Sequence, residues 1–206
     1  YSIDTRRSDP NTPAYVNPAK VAYEQSFRDT LRNGFIELWW AQHRGTWIEG
    51  AELGVSVTHG VALQPRNVIY LPARTFNDVE ANATLGAGWS GLGNSSGPFI
   101  CGSFNGSGQF TGYWVQASAG FIVLRAIEND VYLGPVHIVA ATPVAGDTIG
   151  ARLTAGVLDL LHNGAVIASG PDTVSPAPLT TGYVGIGSPN TSAAAYAAGF
   201  TATRLS

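Results

Sequence analysis

Methionine is absent from this 206-residue chain, cysteine occurs once, and charged residues make up only 12% of the total. A single cysteine cannot form an internal disulfide bond, so no disulfide framework supports an oxidising, exported setting. Eleven basic residues stand against fourteen acidic ones, and the net charge of −3 makes nucleic acids and anionic membranes poor partners. No stretch approaches 18 consecutive apolar residues, so the sequence predicts no transmembrane helix and no membrane insertion.

The residues that are abundant favour one all-β domain. The hydrophobic share of 45% is too high for a disordered chain. A chain of this length can bury roughly 70% of the surface that it exposes when unfolded. The 25 glycines and 12 prolines are typical of many short strands and turns.

The N-terminal residues differ from the rest in composition. Residues 1–20 are polar and are interrupted by Pro10, Pro13 and Pro18, which predicts an extended N-terminal arm that docks onto another chain or domain. Residues 21–206 then form a single domain. Because the chain opens at Tyr1 with neither a methionine nor a signal sequence, we expect it to be a processed or trimmed piece of a longer protein.

Residues 18–33 carry two conflicting patterns. Tyr23, Phe27 and Leu31 lie at i, i+4 and i+8, which favours a helix that Pro18 would open. Residues 27–31 also alternate as a strand does. The local pattern slightly favours the helix, and both alternatives stay open.

From residue 35 onward, apolar residues recur with a period of two. Asn163-Gly164, between two apolar runs, predicts a hairpin with a primed turn. Cys101 lies in an apolar run and is interpreted as a buried small hydrophobe. Many short strands at this spacing predict an antiparallel sandwich or barrel. The predicted strands are 35–40, 53–58, 61–64, 68–71, 78–85, 99–103, 110–117, 121–128, 136–141, 148–154, 157–161, 165–169, 183–187 and 198–204.

Four motifs follow one another in the C-terminal half. They are Gly112-Tyr113-Trp114-Val115, Gly146-Asp147-Thr148-Ile149-Gly150-Ala151-Arg152, His162-Asn163-Gly164-Ala165 and Gly182-Tyr183-Val184-Gly185. In this order and spacing the chain resembles the concanavalin A-like lectin/glucanase superfamily, including laminin-G-like domains, over about residues 27–206. The resemblance implies an all-β jelly roll of two antiparallel sheets, with 27–31 as its first strand and a concave outer face that holds a ligand. Domains of this kind occur on tailed-phage tails, on virion surfaces and on secreted bacterial proteins.

The acidic residues do not fit a glycosidase. Retaining enzymes need two carboxyl groups about 5–5.5 Å apart, and the family's glucanases carry them on one strand. Glu49 and Glu52 are spaced by three, whereas Asp78 and Glu80 open a strand where charges are usually solvated. We therefore predict no catalysis. The four histidines lack metal-ligand spacing, so we predict no cofactor, although the resemblance leaves Ca²⁺ possible.

One strand face offers candidate ligand contacts. Trp114 and Gln116 share a face of their strand, and Arg125 lies on the matching face of the next strand if Tyr113 points into the core. These three residues are then the exposed floor of a groove. The period fixes which residues pair but not which face is buried, so a buried Trp114 with an exposed Tyr113 stays an open alternative.

Two further residues complete the predicted site. Trp89, in a Gly- and Ser-rich loop, is placed on a mobile rim. His137, on a strand face opposite Val136 and Ile138, is a candidate for the groove, although a histidine with no role on the sheet surface is the commoner case.

The function expected from these observations is that of a non-catalytic, lectin-like binding or structural module. Its predicted location is a virion surface or the extracellular space. Its predicted partners are surface glycans, other virion proteins, or both, within a homo-oligomer or larger assembly. Two alternatives stay open: a secreted glucanase or lyase of the same fold, and an assembly or decoration protein without a glycan site.

Overall fold

The computed structural model describes five short strands within residues 22–70, and then residues 75–89, 95–188 and 197–205, whose side chains are described as well. Fifteen strands are present and none of these residues is helical. No helix in these parts is long and apolar enough to cross a membrane. The strands are β1 (Ala22–Ser26), β2 (Ala41–Arg44), β3 (Thr46–Ile48), β4 (Gly54–Val57), β5 (Asn67–Tyr70), β6 (Val79–Leu85), β7 (Gly97–Phe104), β8 (Phe110–Ser118), β9 (Phe121–Glu128), β10 (Val131–Ala140), β11 (Thr148–Thr154), β12 (Val157–His162), β13 (Ala165–Pro171), β14 (Tyr183–Ser188) and β15 (Ala197–Arg204).

The strands form two antiparallel sheets and one small ribbon. The six-stranded sheet has the order β1-β15-β6-β11-β12-β13, and the seven-stranded sheet has the order β10-β9-β8-β7-β14-β5-β2. Strands β3 and β4 pair with each other. Neighbours within each sheet are often far apart in sequence, as in a jelly roll. The predicted two-sheet sandwich is confirmed.

The two sheets bury alternate residues against each other. In β6 the side chains of Val79, Ala81, Ala83 and Leu85 are buried, and the intervening residues are half-buried. Inward-facing residues of both sheets form one contiguous core between the sheets, whereas β7, β8 and β9 are buried on both faces over most of their length.

Two-residue turns join several hairpins. Asn163 and Gly164 have φ values of 50° and 77°, so the predicted primed turn between β12 and β13 is confirmed. Asn129 and Asp130, at 49° and 65°, make a similar turn. Strand β10 therefore begins at residue 131, five residues before its predicted start. It accommodates Pro135 because it is an edge strand with bulged pairing.

Of the two alternatives left open for residues 18–33, the helix is wrong for residues 22–26. These residues form β1 and pair with β15, so long-range strand pairing overrides a weak local helical pattern. The short strands β2 and β3 were not predicted. The predicted strands at 27–31, 35–40 and 61–64, and the arm at 1–20, lie outside the described residues.

Cys101 is 1% exposed, which confirms the buried interpretation. Burial raises the pKa of its thiol to about 12, so the sulfur is not a nucleophile near neutral pH. Cys101 lies where the pairing of β7 with β8 is irregular, and its φ is 54°. Gly182 packs directly against the backbone of Cys101, so there is no room for a side chain at position 182.

A buried hydrogen-bond cluster joins the loop after β13 to the core. The hydroxyl of Tyr113, 0% exposed, donates to Asp172 Oδ2 over 2.8 Å and accepts from the backbone NH of Leu179 over 2.9 Å. Asp172 Oδ1 accepts from the backbone NH groups of Val174 and Ser175. Burial alone would raise the pKa of Asp172, but these hydrogen bonds, led by those from Ser175, hold it below its usual value.

We predict that acid weakens the fold through Asp172. Its folded-state pKa lies below the value of about 3.9 for an unfolded aspartate. The stabilisation is therefore complete above about pH 5 and is lost as the pH falls below about 4. The melting temperature measured between pH 7 and pH 2.5 should show this decline.

Asp172→Asn tests the assignment. It should lower the stability at pH 7 by about 1–3 kcal/mol, because an amide is a poorer acceptor for three donors, and it should flatten the acid decline. Asp147, whose pKa is also lowered, leaves part of the decline in place. Glu128→Gln, at an exposed residue, is the control. Equal acid declines in Asp172→Asn and the wild type would contradict the assignment.

Candidate functional site

The face of the seven-stranded sheet that points away from the other sheet is buried at its centre. Trp114 is 0% exposed and packs with Phe99, Phe110 and Ile127 in a second apolar cluster. Tyr113 points into the core between the sheets, which is the alternative that places Trp114 on the outer face. Trp114 thus lies on the expected face, but the prediction that it is an exposed groove floor is wrong.

Gln116 and Arg125 are also buried on this face, at 2% and 8% exposure. Arg125 Nε donates to Gln116 Oε1 over 3.1 Å, and its guanidinium lies 4.9 Å from the ring centroid of Tyr132. Burial lowers the pKa of Arg125, and the contacts with Tyr132 oppose this. The structure thus contradicts an open surface at these residues, and a ligand role for them stays a prediction.

Trp89 is not on a mobile rim. Its side chain is 4% exposed, belongs to the core between the sheets, and donates from Nε1 to the carbonyl oxygen of Pro143 over 3.1 Å. The Gly- and Ser-rich composition around it concealed this role, because the partner of a buried indole NH need not be close in sequence.

His137 points toward the opposite sheet and not toward Trp114. Its Nε2 lies 2.9 Å from the carbonyl oxygen of Leu158 in β12. The cause is an irregularity in β10 between Pro135 and His137, which shifts the alternation so that His137 pairs with Leu124 on the core side. The structure therefore does not place His137 in a groove with Trp114.

Most described carboxylates hold the fold together. Asp78, the first residue of the rejected catalytic pair, accepts from the backbone NH of Ala155 over 3.0 Å. Asp147 is bound by His162 and Asn163. Asp130, Asp159, Asp172 and Glu80 likewise accept hydrogen bonds or ion pairs from neighbouring strands or turns.

A row of polar residues crosses the outer face of the six-stranded sheet. Arg152, in β11, pairs with Glu80 of β6 on one side and with Asp159 of β12 on the other. Thr203 of β15 lies opposite Glu80, and Ser169 of β13 lies opposite Asp159. The neighbours of these residues along β6, β11 and β12 are buried in the core, so this polar row faces outward.

Charge pairs organise the polar row. Arg152 Nε donates to Asp159 Oδ2 over 2.8 Å, its second nitrogen lies 2.6 Å from the same oxygen, and its third lies 3.6 Å from Glu80 Oε2. Asn82 Nδ2 donates to Glu80 Oε1 over 2.9 Å, whereas its buried Oδ1 has no partner. Asn82 lies across Gly150, where no Cβ would fit.

A groove of about 620 Å³ opens over this row. Apolar side chains of Val157, Val166 and Leu205, each more than a third exposed, line it together with the polar groups. Mixed apolar and convergent polar lining is typical of small-molecule sites. The remaining described lining residues are Arg152, Thr154, Asp159 and Ser169.

Sequence analysis missed this groove although a usable pattern was present. Alternation in β6, β11 and β12 already placed Glu80, Arg152 and Asp159 on the face opposite the apolar residues. Glu80 was considered only as half of a catalytic pair. The sequence did not show that these strands are neighbours in the sheet, because β7 to β10 lie between β6 and β11 along the chain.

No three His, Cys, Asp or Glu side chains converge on a common point in the described ranges. The groove's charged groups are engaged with one another, so its described residues do not form a ready cation site. The absence of a cofactor, with Ca²⁺ left possible by the family resemblance, stays a prediction.

Comparison with known proteins supports the fold. No protein-family model and no curated protein sequence matches the chain. Among solved structures, the chain is similar to the carbohydrate-binding module CBM66 from Bacillus subtilis, with a TM-score of 0.56, 10% identity, and 80% of this chain and 91% of that chain covered. It is also similar to the exoplasmic/lumenal domain of VIP36 in its Ca²⁺- and Man3GlcNAc-bound form, with a TM-score of 0.55, 10% identity, and coverages of 89% and 92%.

A β-glucanase from Bacillus licheniformis is similar as well, with a TM-score of 0.52, 10% identity, and coverages of 88% and 94%. The chain therefore has the concanavalin A- and galectin-like jelly-roll fold. Carbohydrate-binding modules, lectins and glycosidases all use this fold, so the comparison does not decide between binding and catalysis.

We predict that Trp114 stabilises the fold. Trp114→Ala should reduce the free energy of unfolding by about 3–5 kcal/mol, because it leaves a cavity among packed aromatic rings. Val131→Ala, at a side chain that is 59% exposed, is the control and should change stability by no more than about 0.5 kcal/mol. Denaturant unfolding measures both. A Trp114→Ala protein of wild-type stability would show that the indole is not part of the core.

Proposed function

We propose that the chain is a non-catalytic, glycan-binding module that holds its ligand over the polar row of the six-stranded sheet. The observation that carries the proposal is the groove that Arg152 and Asp159 line under an apolar rim, with Glu80 beside it as the second carboxylate in contact with Arg152. Saccharides present hydroxyl groups and apolar C–H faces together, and this lining offers a counterpart to each.

Preorganisation supports the same proposal. Arg152 is held from both sides, so its position is fixed before a ligand arrives. Fixed polar groups lose little conformational entropy on binding. The groove also remains partly exposed, with the Arg152 side chain at 33%, whereas the centre of the other outer face is closed.

The absence of catalysis is part of the proposal. Its support is that Glu80 and Asp159 engage the same guanidinium and that Asp78 holds a turn. In the described residues this leaves no unengaged pair of carboxylates to act as acid and nucleophile, which glycoside hydrolysis requires.

We further propose a multivalent setting, such as a virion surface or an extracellular surface with many copies of the module. A shallow groove with few contacts binds each ligand weakly, and many linked copies raise the overall affinity without new contacts. Other proteins of such an assembly would be its second class of partner.

Binding is tested with a glycan array probed by the protein in monomeric and in streptavidin-tetramerised form. Arg152→Ala should lower the affinity for the best glycan about ten-fold or more, since a hydrogen bond to a charged group contributes about 1.5–3 kcal/mol. Thr154→Ala, at an exposed lining residue, should lower it less. Titration calorimetry and melting curves separate lost binding from lost folding.

Glu128→Ala is the matched control, because this exposed residue lies at the end of β9 in the other sheet. It should bind as the wild type does. If the tetramer binds no glycan, or if Arg152→Ala binds normally, the proposed site is wrong. An assembly protein without a glycan site would then be the better candidate.

We also predict that the protein releases no reducing sugar from β-glucans and binds its glycan equally well after EDTA treatment. Glucanase activity that Glu80→Gln or Asp78→Asn abolishes would contradict the first expectation. Glycan binding that EDTA removes and Ca²⁺ restores would contradict the second.

A further inference from the structure

Charge is distributed unequally along the polar row. Glu80 and Asp159 flank a single cation, Arg152, so the row carries one negative charge in excess. Of the described residues that line the groove, Arg152 is the one that carries a positive charge.

The hydrogen-bonding capacity of the row also favours acceptors over donors. Each nitrogen of the Arg152 guanidinium has a carboxylate oxygen within 3.6 Å, so an anionic ligand would approach a guanidinium whose charge two carboxylates already balance. The carboxylates keep acceptor capacity, because an ionised carboxylate offers about four lone-pair sites. The row therefore favours a ligand that donates from hydroxyl groups.

We propose that this face selects neutral saccharides and rejects acidic ones, such as those with uronate, sulfate or sialate groups. The proposal rests on the proposed function and assigns the ligand class of the same groove. Neutral hydroxyl groups donate to Glu80 and Asp159, and the C–H faces of the sugar pack on Val157, Val166 and Leu205. An acidic group on a saccharide is repelled by these carboxylates, and this repulsion excludes acidic ligands.

The test compares matched glycan pairs in which the same neutral oligosaccharide is presented with and without a sulfate or carboxylate group. The wild type should bind the neutral member at least roughly three- to ten-fold more tightly in low salt. Raising the ionic strength from about 20 mM to 500 mM should narrow the gap, because salt screens the repulsion. This measurement needs no variant and does not depend on the folding of one.

Glu80→Gln then removes one negative charge from the row. The ratio of acidic to neutral affinity should rise by roughly three-fold or more, whatever happens to the neutral affinity itself. Glu128→Gln changes the net charge of the protein equally but lies in the other sheet, and it should leave the ratio unchanged.

The outcomes separate the two proposals. If the wild type binds neither member of any pair, both the proposed glycan-binding function and the proposed selection of neutral saccharides are wrong. If it binds acidic members as tightly as neutral ones, or if Glu80→Gln and Glu128→Gln shift the ratio equally, the glycan-binding function stands and the selection of neutral saccharides is wrong.

Discussion

The structure depends on the burial of both faces of the central strands of the seven-stranded sheet. In β8, Tyr113 and Val115 pack between the sheets while Trp114 and Gln116 are enclosed on the other side. Polar groups on a strand that is buried on both faces are cut off from water and need partners within the protein, although the buried Nε1 of Trp114 has none. Gln116 meets this requirement by accepting from Arg125, and the Tyr113 hydroxyl by bonding Asp172.

This burial assigns different roles to the two outer faces. On the seven-stranded sheet, the rings of Phe99 and Phe110 lie over Gly102 and Gly112, where side chains would collide with them. Small residues are therefore needed beneath an aromatic layer. The six-stranded sheet carries charged and hydroxyl side chains at equivalent alternating positions, and for this reason the proposed ligand site is on its outer face.

The sequence predicted the features that depend on local periodicity and turn chemistry. Alternation located most of the strands from β4 onward, and Asn163-Gly164 located a hairpin, because each needs only neighbouring residues. The exposure of Trp114 was predicted wrongly because alternation does not reveal which faces a fold covers. His137 was misplaced because one irregularity in β10 reverses the alternation. The groove was missed because its row crosses strands that are distant in sequence.

The strand order also has a kinetic consequence. Strand β15 lies between β1 and β6, so Ala22 pairs with Thr203 and Val79 with Arg204. The six-stranded sheet cannot close until segments from opposite ends of the sequence meet, and the loop-closure entropy of such pairings slows folding. Until β15 arrives, one side of β6 is an unpaired edge. Chaperone demand and aggregation during refolding are therefore expected to depend on how soon β15 docks.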